Sequence, residues 1–212
     1  MTAVQRTVAL CVGFAAVVVG MFVYSVTRTP TLTNDQLREK GVFVLPTPRE
    51  LAPFELTTAD GEPFDLSSLE GHWSFVFFGF TNCPDVCPTT MAVLAQAEKR
   101  LREEDPELAG QFQGILVSVD PERDDAATLG QYVHAFSPRF IGVRGDLAAT
   151  AGFATQVNVA FAKVPSDDGG YQVDHTANIV IINPRGHYHA FAKMPHQADT
   201  IVAAFRSLAL NF

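Results

Sequence analysis

Cys83 and Cys87 are separated by three residues in the stretch Thr81-Asn82-Cys83-Pro84-Asp85-Val86-Cys87-Pro88. An almost continuously apolar segment, Trp73 to Phe80 (WSFVFFGF), precedes them and reads as a strand buried on both faces. Pro88 suits the first turn of a helix running to Leu101. The dithiol is therefore expected at a strand-to-helix junction. The partial positive charge and free N–H groups of a helix start favour thiolate over thiol. Thiolate is the form that attacks disulfides and the form that ligates metal. A disulfide across three residues closes a small ring, worth about 2 kcal/mol on the loop-closure model, so it suits reversible chemistry better than structural stapling. Two soft sulfurs also suit Cu(I). The cysteine pair alone leaves redox and metal chemistry both open.

The third residue of interest is His175, in Asp174-His175-Thr176-Ala177, which leads into the apolar strand ANIVII ending at Ile182. In a thioredoxin-like sheet the loop before this late strand faces the start of the first helix. Thioredoxins place a cis-proline there, whereas this chain has no proline between Tyr171 and Asn183 and offers an imidazole nearby. An imidazole nitrogen suits copper. Asp120 has two readings: a group that steadies the metal site or docks a partner, or a turn residue followed by a helix cap at Asp124, the reading favoured here. Asp85, between the cysteines, is expected to be exposed. His187 and His189 share one face of an expected strand and His196 follows, but no further ligand is placed beside them, so a solvated edge is expected. Met194 reads as a packing residue.

The elements that must position these residues alternate along the chain. Asp60-Gly61 marks a hairpin between 53–56 and 64–66. Strands are expected at 112–119, 140–143, 159–164, 177–182 and 188–192, and helices at 124–136, 147–157 and 197–209. Strands alternating with helices, then an antiparallel hairpin and a last helix, predict an α/β fold with a mixed central sheet covered on both faces, an arrangement that fits a thioredoxin-like sandwich but that periodicity alone does not separate from other α/β folds.

Hydrophobic residues make up 47% and charged residues 18%, which excludes a disordered chain and a coiled coil. A formal charge of -8, without a basic run, excludes a nucleic-acid partner. Val8 to Val26 is an uncharged apolar run of 19 residues. As a helix it reaches roughly 28 Å, close to the thickness of a bilayer core. It carries no polar stripe, and Tyr24-Ser25-Val26-Thr27 is a poor cleavage site, so it reads as an uncleaved anchor. Arg6 and Arg28 flank the run, and the positive-inside rule favours an inside amino terminus by a small margin. Cys11, within the run, behaves as a small hydrophobe. The expected organisation is a short inside tail at 1–7, a transmembrane anchor at 8–26, a proline-containing tether at 27–50, and a domain at 51–212 facing a compartment where disulfides form.

From about Phe54 onward the chain resembles the Sco/SenC family of copper chaperones for cytochrome c oxidase assembly. The resemblance rests on FFGFTNCPDVCPTT, LVSVDPERDD, YVHAFSPRFIGVRGD and VDHTANIVIINPRG, in that order. It implies that Cys83, Cys87 and His175 coordinate one copper per chain, as Cu(I) or Cu(II), and that the two cysteines can also form a disulfide. It implies a partner, the copper-bearing subunit of a respiratory oxidase, with an upstream copper donor or thiol reductant. The implied location is a bacterial inner membrane, single-pass, with the domain on the periplasmic or extracytoplasmic side. The rival reading is a thiol–disulfide oxidoreductase of exported proteins without metal transfer, with Cys83 as the attacking thiolate. Whether the chain is an enzyme is left open between these two. A peroxiredoxin-type peroxidase is disfavoured, because Val76 and Phe80 stand where that family needs a proline and a threonine.

Overall fold

The computed structural model describes residues 2–27, 31–166 and 169–212, and the chain divides into two units, Met1–Thr31 and Leu32–Phe212. In the first unit the apolar run is a single helix, α1 (Ala3–Thr27), with Val8, Leu10, Val12 and Phe14 exposed. Among the described residues it is the one helix long and apolar enough to cross a membrane by length and composition. The expected flanking Arg28 and positions 28–30 of the expected tether lie outside the described residues.

From Leu32 the chain is folded, which corrects the tether expected over 27–50. Thr33 caps α2 (Asn34–Glu39) in a reciprocal capping box with Gln36, and Leu37 is buried. Strand β1 (Val42–Arg49) follows and joins the sheet edge, Val42 opposite Ala192 and Val44 opposite Ala190. Pro46 and Pro48 suggested a linker, but an edge strand tolerates proline because one row of its N–H groups needs no partner.

The hairpin β2 (Leu56–Thr58) and β3 (Pro63–Phe64) turns at Gly61, whose φ of 88° favours glycine. Then come β4 (Trp73–Gly79), α3 (Val86–Glu104), α4 (Pro106–Ala109), β5 (Phe112–Ser118), α5 (Ala126–Phe136), β6 (Ile141–Arg144) and α6 (Leu147–Gln156). The chain closes with β7 (Phe161–Pro165), β8 (Tyr171–His175), β9 (Ile179–Ile182), β10 (Tyr188–Ala192) and α7 (Ala198–Leu210). One sheet has the order β1-β10-β9-β4-β5-β6-β2-β3. Strands β4, β5 and β6 run parallel, while β9 pairs antiparallel with β4 and β10 with β9. This is the expected mixed sheet.

Every residue of β4 is buried, and its alternate side chains reach opposite faces. Phe75 lies edge-on to Phe205 of α7, and Phe78 meets Phe153 of α6. Helices α7 and α6 therefore cover the two faces, with Phe rings filling much of the core. Strands β7 and β8 pair only with each other, Phe161 opposite His175, and form a separate two-stranded arm. A strand ending on His175 was not expected; the sequence suggested a loop there.

Candidate metal and thiol centre

Helix α3 begins at Val86, two residues earlier than expected, which puts Cys87 in its first turn and Cys83 just before it. The N-cap, Asp85, is exposed and makes no side-chain cap bond. Instead the Cys87 backbone N–H donates to the Cys83 sulfur at 3.4 Å. The sulfur thus takes the place usually filled by a capping oxygen.

Cys87 is fully buried and Cys83 half-buried, and both are free thiols. Burial pushes the Cys87 thiol well up, with the bond to Cys83 adding to the rise. At Cys87 desolvation therefore outweighs the helix-terminus field that led to the expectation of thiolate. Gly79, at the end of β4, makes room for this sulfur. A Cβ there would stand 2.9 Å from Cys87 Sγ and 3.0 Å from the Phe77 ring.

His175 Nε2 lies 3.6 Å from Cys87 Sγ. Its Nδ1 is 3.3 Å from the Thr176 carbonyl. A carbonyl can only accept, so that contact assigns the proton to Nδ1 and leaves the Nε2 lone pair facing the sulfurs. Burial holds the imidazole below its ordinary pKa of 6.5, which keeps it neutral. Phe77 and Phe80 present their edges to the ring at 5.6 and 6.0 Å. The ligand atoms of Cys83, Cys87 and His175 all lie within 4.8 Å of one another. Two sulfurs and one neutral nitrogen at that spacing fit a soft, low-coordinate ion such as Cu(I), and this donor set also tolerates Cu(II).

The acidic turn after β5 reverses an expectation. Asp125, not Asp124, caps α5, accepting from the Thr128 N–H at 2.7 Å. Asp124 is fully buried and holds the loop that leads to the cysteines. It accepts from the Thr81 N–H at 3.1 Å, the Thr81 hydroxyl at 2.6 Å and the Ser118 hydroxyl at 2.6 Å. The acidic pair was a visible signal, since only one of two adjacent carboxylates can cap a helix. Asp120 does more than make a turn: it is fully buried, ion-paired with Arg123, and accepts from the Tyr171 hydroxyl at 2.8 Å. Gly79, Arg123 and Tyr171 were not singled out from the sequence.

The remaining candidates lie elsewhere. His189 Nδ1 faces the Asn183 amide at 3.2 Å and its ring packs edge-on against Trp73. His196 donates from Nε2 to the Ala177 carbonyl at 2.8 Å. No cluster forms from His187, His189 and His196 among the described residues. Met194 is exposed rather than packed, and Cys11 belongs to the separate helical unit.

A mixed sheet covered by helices, with two cysteines at the start of the helix after a central strand and an imidazole facing them, defines a thioredoxin-like protein with a dithiol–histidine centre. The sequence pattern of the SCO1/SenC family matches residues 45–210, and the chain belongs to that family. The mitochondrial SCO2 homolog of Mus musculus is 35% identical over 154 residues, covering 72% of this chain and 60% of its own length. The chain thus spans about three-fifths of that relative. ScoI of Bradyrhizobium japonicum, solved with copper bound, is 34% identical with a TM-score of 0.65, covering 74% of this chain and 98% of its own. The apo Sco1 protein of Thermus thermophilus is also 34% identical, with a TM-score of 0.70 and coverage of 78% and 94%.

Proposed function

We propose that the chain is a membrane-anchored copper carrier that delivers one copper ion to the binuclear copper site of a cytochrome c oxidase subunit. The observation that carries this reading is the convergence of Cys83, Cys87 and His175 within 4.8 Å, from segments far apart in sequence. The copper-bound state of the Bradyrhizobium japonicum protein supports it. Copper is cargo here. It would be held by two sulfurs and one nitrogen and would leave by stepwise exchange to sulfur ligands on the recipient. Asp120 serves this site from behind its ligands. In this reading α1 is a single-pass anchor in a bacterial inner membrane, with the domain on the periplasmic side, where an upstream donor supplies copper.

The test is copper stoichiometry with X-ray absorption on the reduced full-length protein in detergent, repeated with each of the three residues replaced. The expected result is one copper per chain with two sulfur neighbours and one nitrogen. His175→Ala should weaken Cu(I) binding by about tenfold or more, by the loss of one of three ligands. Undiminished affinity in that variant would remove the three-ligand centre.

A second reading has its own observation. Both thiols are free, and Cys83, the less buried one, lies just before the helix and accepts its Cys87 N–H bond. On that basis Cys83 attacks a partner's disulfide and Cys87 resolves the mixed disulfide, reducing the recipient's cysteines before metal arrives. Fast turnover on many unrelated disulfides, unaffected by His175→Ala, would favour general reduction over copper delivery.

A further inference from the structure

His175 is carried by an arm that shares no strand pairing with the eight-stranded sheet, so beyond the short link from His175 to β9 its place depends on side-chain contacts. Tyr171, Val173 and His175 alternate onto one face of β8. Val173 is buried. His175 meets the cysteines at one end of that face, and Tyr171 lies about 13 Å away at the other, four residues at 3.3 Å each.

Arg123, in the turn after β5, grips the Tyr171 end. Its Nη1 donates to the Tyr171 carbonyl at 3.3 Å, and its guanidinium lies over the Tyr171 ring at 4.2 Å. Its Nε is ion-paired with the buried Asp120, which also accepts from the Tyr171 hydroxyl. Lys163 of β7 pairs with Glu122 of the same turn at 2.6 Å. Arg123 also lies over Phe80 at 5.6 Å, and Phe80 in turn presents its edge to the His175 ring. The next residue, Asp124, holds Thr81 of the cysteine loop. One short turn therefore fastens both halves of the centre.

We propose that Arg123, with Asp120 and Tyr171, is a positioning residue that holds the His175 arm against the dithiol and so completes the third ligand position. The inference rests on the three-ligand reading above. Arg123 touches none of the ligand atoms; it acts through β8 and through Phe80. A planar guanidinium can stack on Tyr171 while pairing with Asp120 and donating to a carbonyl, which an ammonium cannot do together. Loosening this grip frees the arm and leaves a site with two sulfurs.

The experiment uses the full-length protein in detergent, with Cu(I) affinity measured by competition with a chelator and the copper neighbours counted by X-ray absorption. Arg123→Gln, and the milder Tyr171→Phe, should weaken Cu(I) about tenfold or more, the scale seen when groups behind metal ligands are lost. The nitrogen neighbour should fade while both sulfurs remain. Arg123→Lys, which keeps the charge opposite Asp120, should recover part of the loss. On a His175→Ala background neither substitution should weaken binding further, because its route to copper is already gone.

Equal weakening on both backgrounds would mean a general loss of fold and would overturn the proposal. A full nitrogen signal and unchanged affinity in both variants, with His175→Ala still weakened, would overturn it while sparing the three-ligand centre. Unweakened binding in His175→Ala would instead remove the centre itself, and the positioning role with it.

Discussion

Around Cys87 every neighbour is set by space as much as by chemistry. The sulfur is fully buried, desolvation favours its protonated thiol, and Gly79 leaves the gap it occupies. Gly79→Ala would bring a methyl group to 2.9 Å from that sulfur and 3.2 Å from Leu116. Such overpacking should cost about 1–3 kcal/mol in urea unfolding and weaken copper binding, since relief requires Cys87 to move. Unchanged stability with unchanged copper affinity would show that β4 yields instead. Asp124 is the second residue whose type is fixed by its surroundings. Asp124→Ala strands the Thr81 N–H and two hydroxyls in a buried place, for an expected loss of about 2–5 kcal/mol in the same measurement. Asp125→Ala removes only an exposed helix cap and should cost about 1 kcal/mol.

Among the elements, the β7–β8 arm and the central sheet differ in how they are held. Strands β4 and β9 are wholly buried and paired on both sides, whereas the arm is mostly exposed and fastened by a few side chains. Local opening follows such differences. Amide hydrogen exchange in the metal-free protein should therefore be faster across 161–165 and 171–175 than across 73–79 and 179–182. Loading with copper should slow the arm selectively, because the metal would then link His175 to the sulfurs of Cys87 in α3 and Cys83 in its preceding loop. Equal protection of the arm with and without copper would contradict His175 as a ligand. Periodicity made the buried strands and long helices of this fold legible. The arm was half-missed because β8 alternates without the apolar density that marks a core strand. Likewise α2 and β1 were hidden by prolines, whose cost disappears at a sheet edge.

For the domain beginning at Leu32, two half-buried histidines set an acid limit on stability. Burial lowers the pKa of His189 and of His196 from the ordinary 6.5. His189 sits among Trp73, Phe212 and Asn183, with the Arg185 guanidinium over the Phe212 ring. The unfolded chain then takes up these protons before the folded one does. Stability is full above pH 6.5 and is lost as pH falls through that value toward the lower folded pKa. Urea midpoints should drop between about pH 7 and about pH 5.5, before most carboxylates titrate. His189→Asn should make that slope shallower, and an unchanged slope would exclude His189 from the effect.

The amino-acid sequence by itself determined the dithiol, its place at a strand-to-helix junction, the alternating α/β order, and an apolar run long enough to span a membrane. These are local facts, written in spacing and periodicity. The sequence also suggested the pairing of Cys83 and Cys87 with His175, through the expected sheet topology and a family resemblance rather than through any local pattern. Only the tertiary structure decided which carboxylate caps a helix and which is buried, why Gly79 must be small, and that one turn bearing Asp120, Arg123 and Asp124 fastens both the cysteine loop and the histidine arm. Those depend on what packs against each residue from elsewhere in the chain. The same Asp is a solvated cap or a buried anchor according to its neighbours, and spacing along the chain does not reveal them.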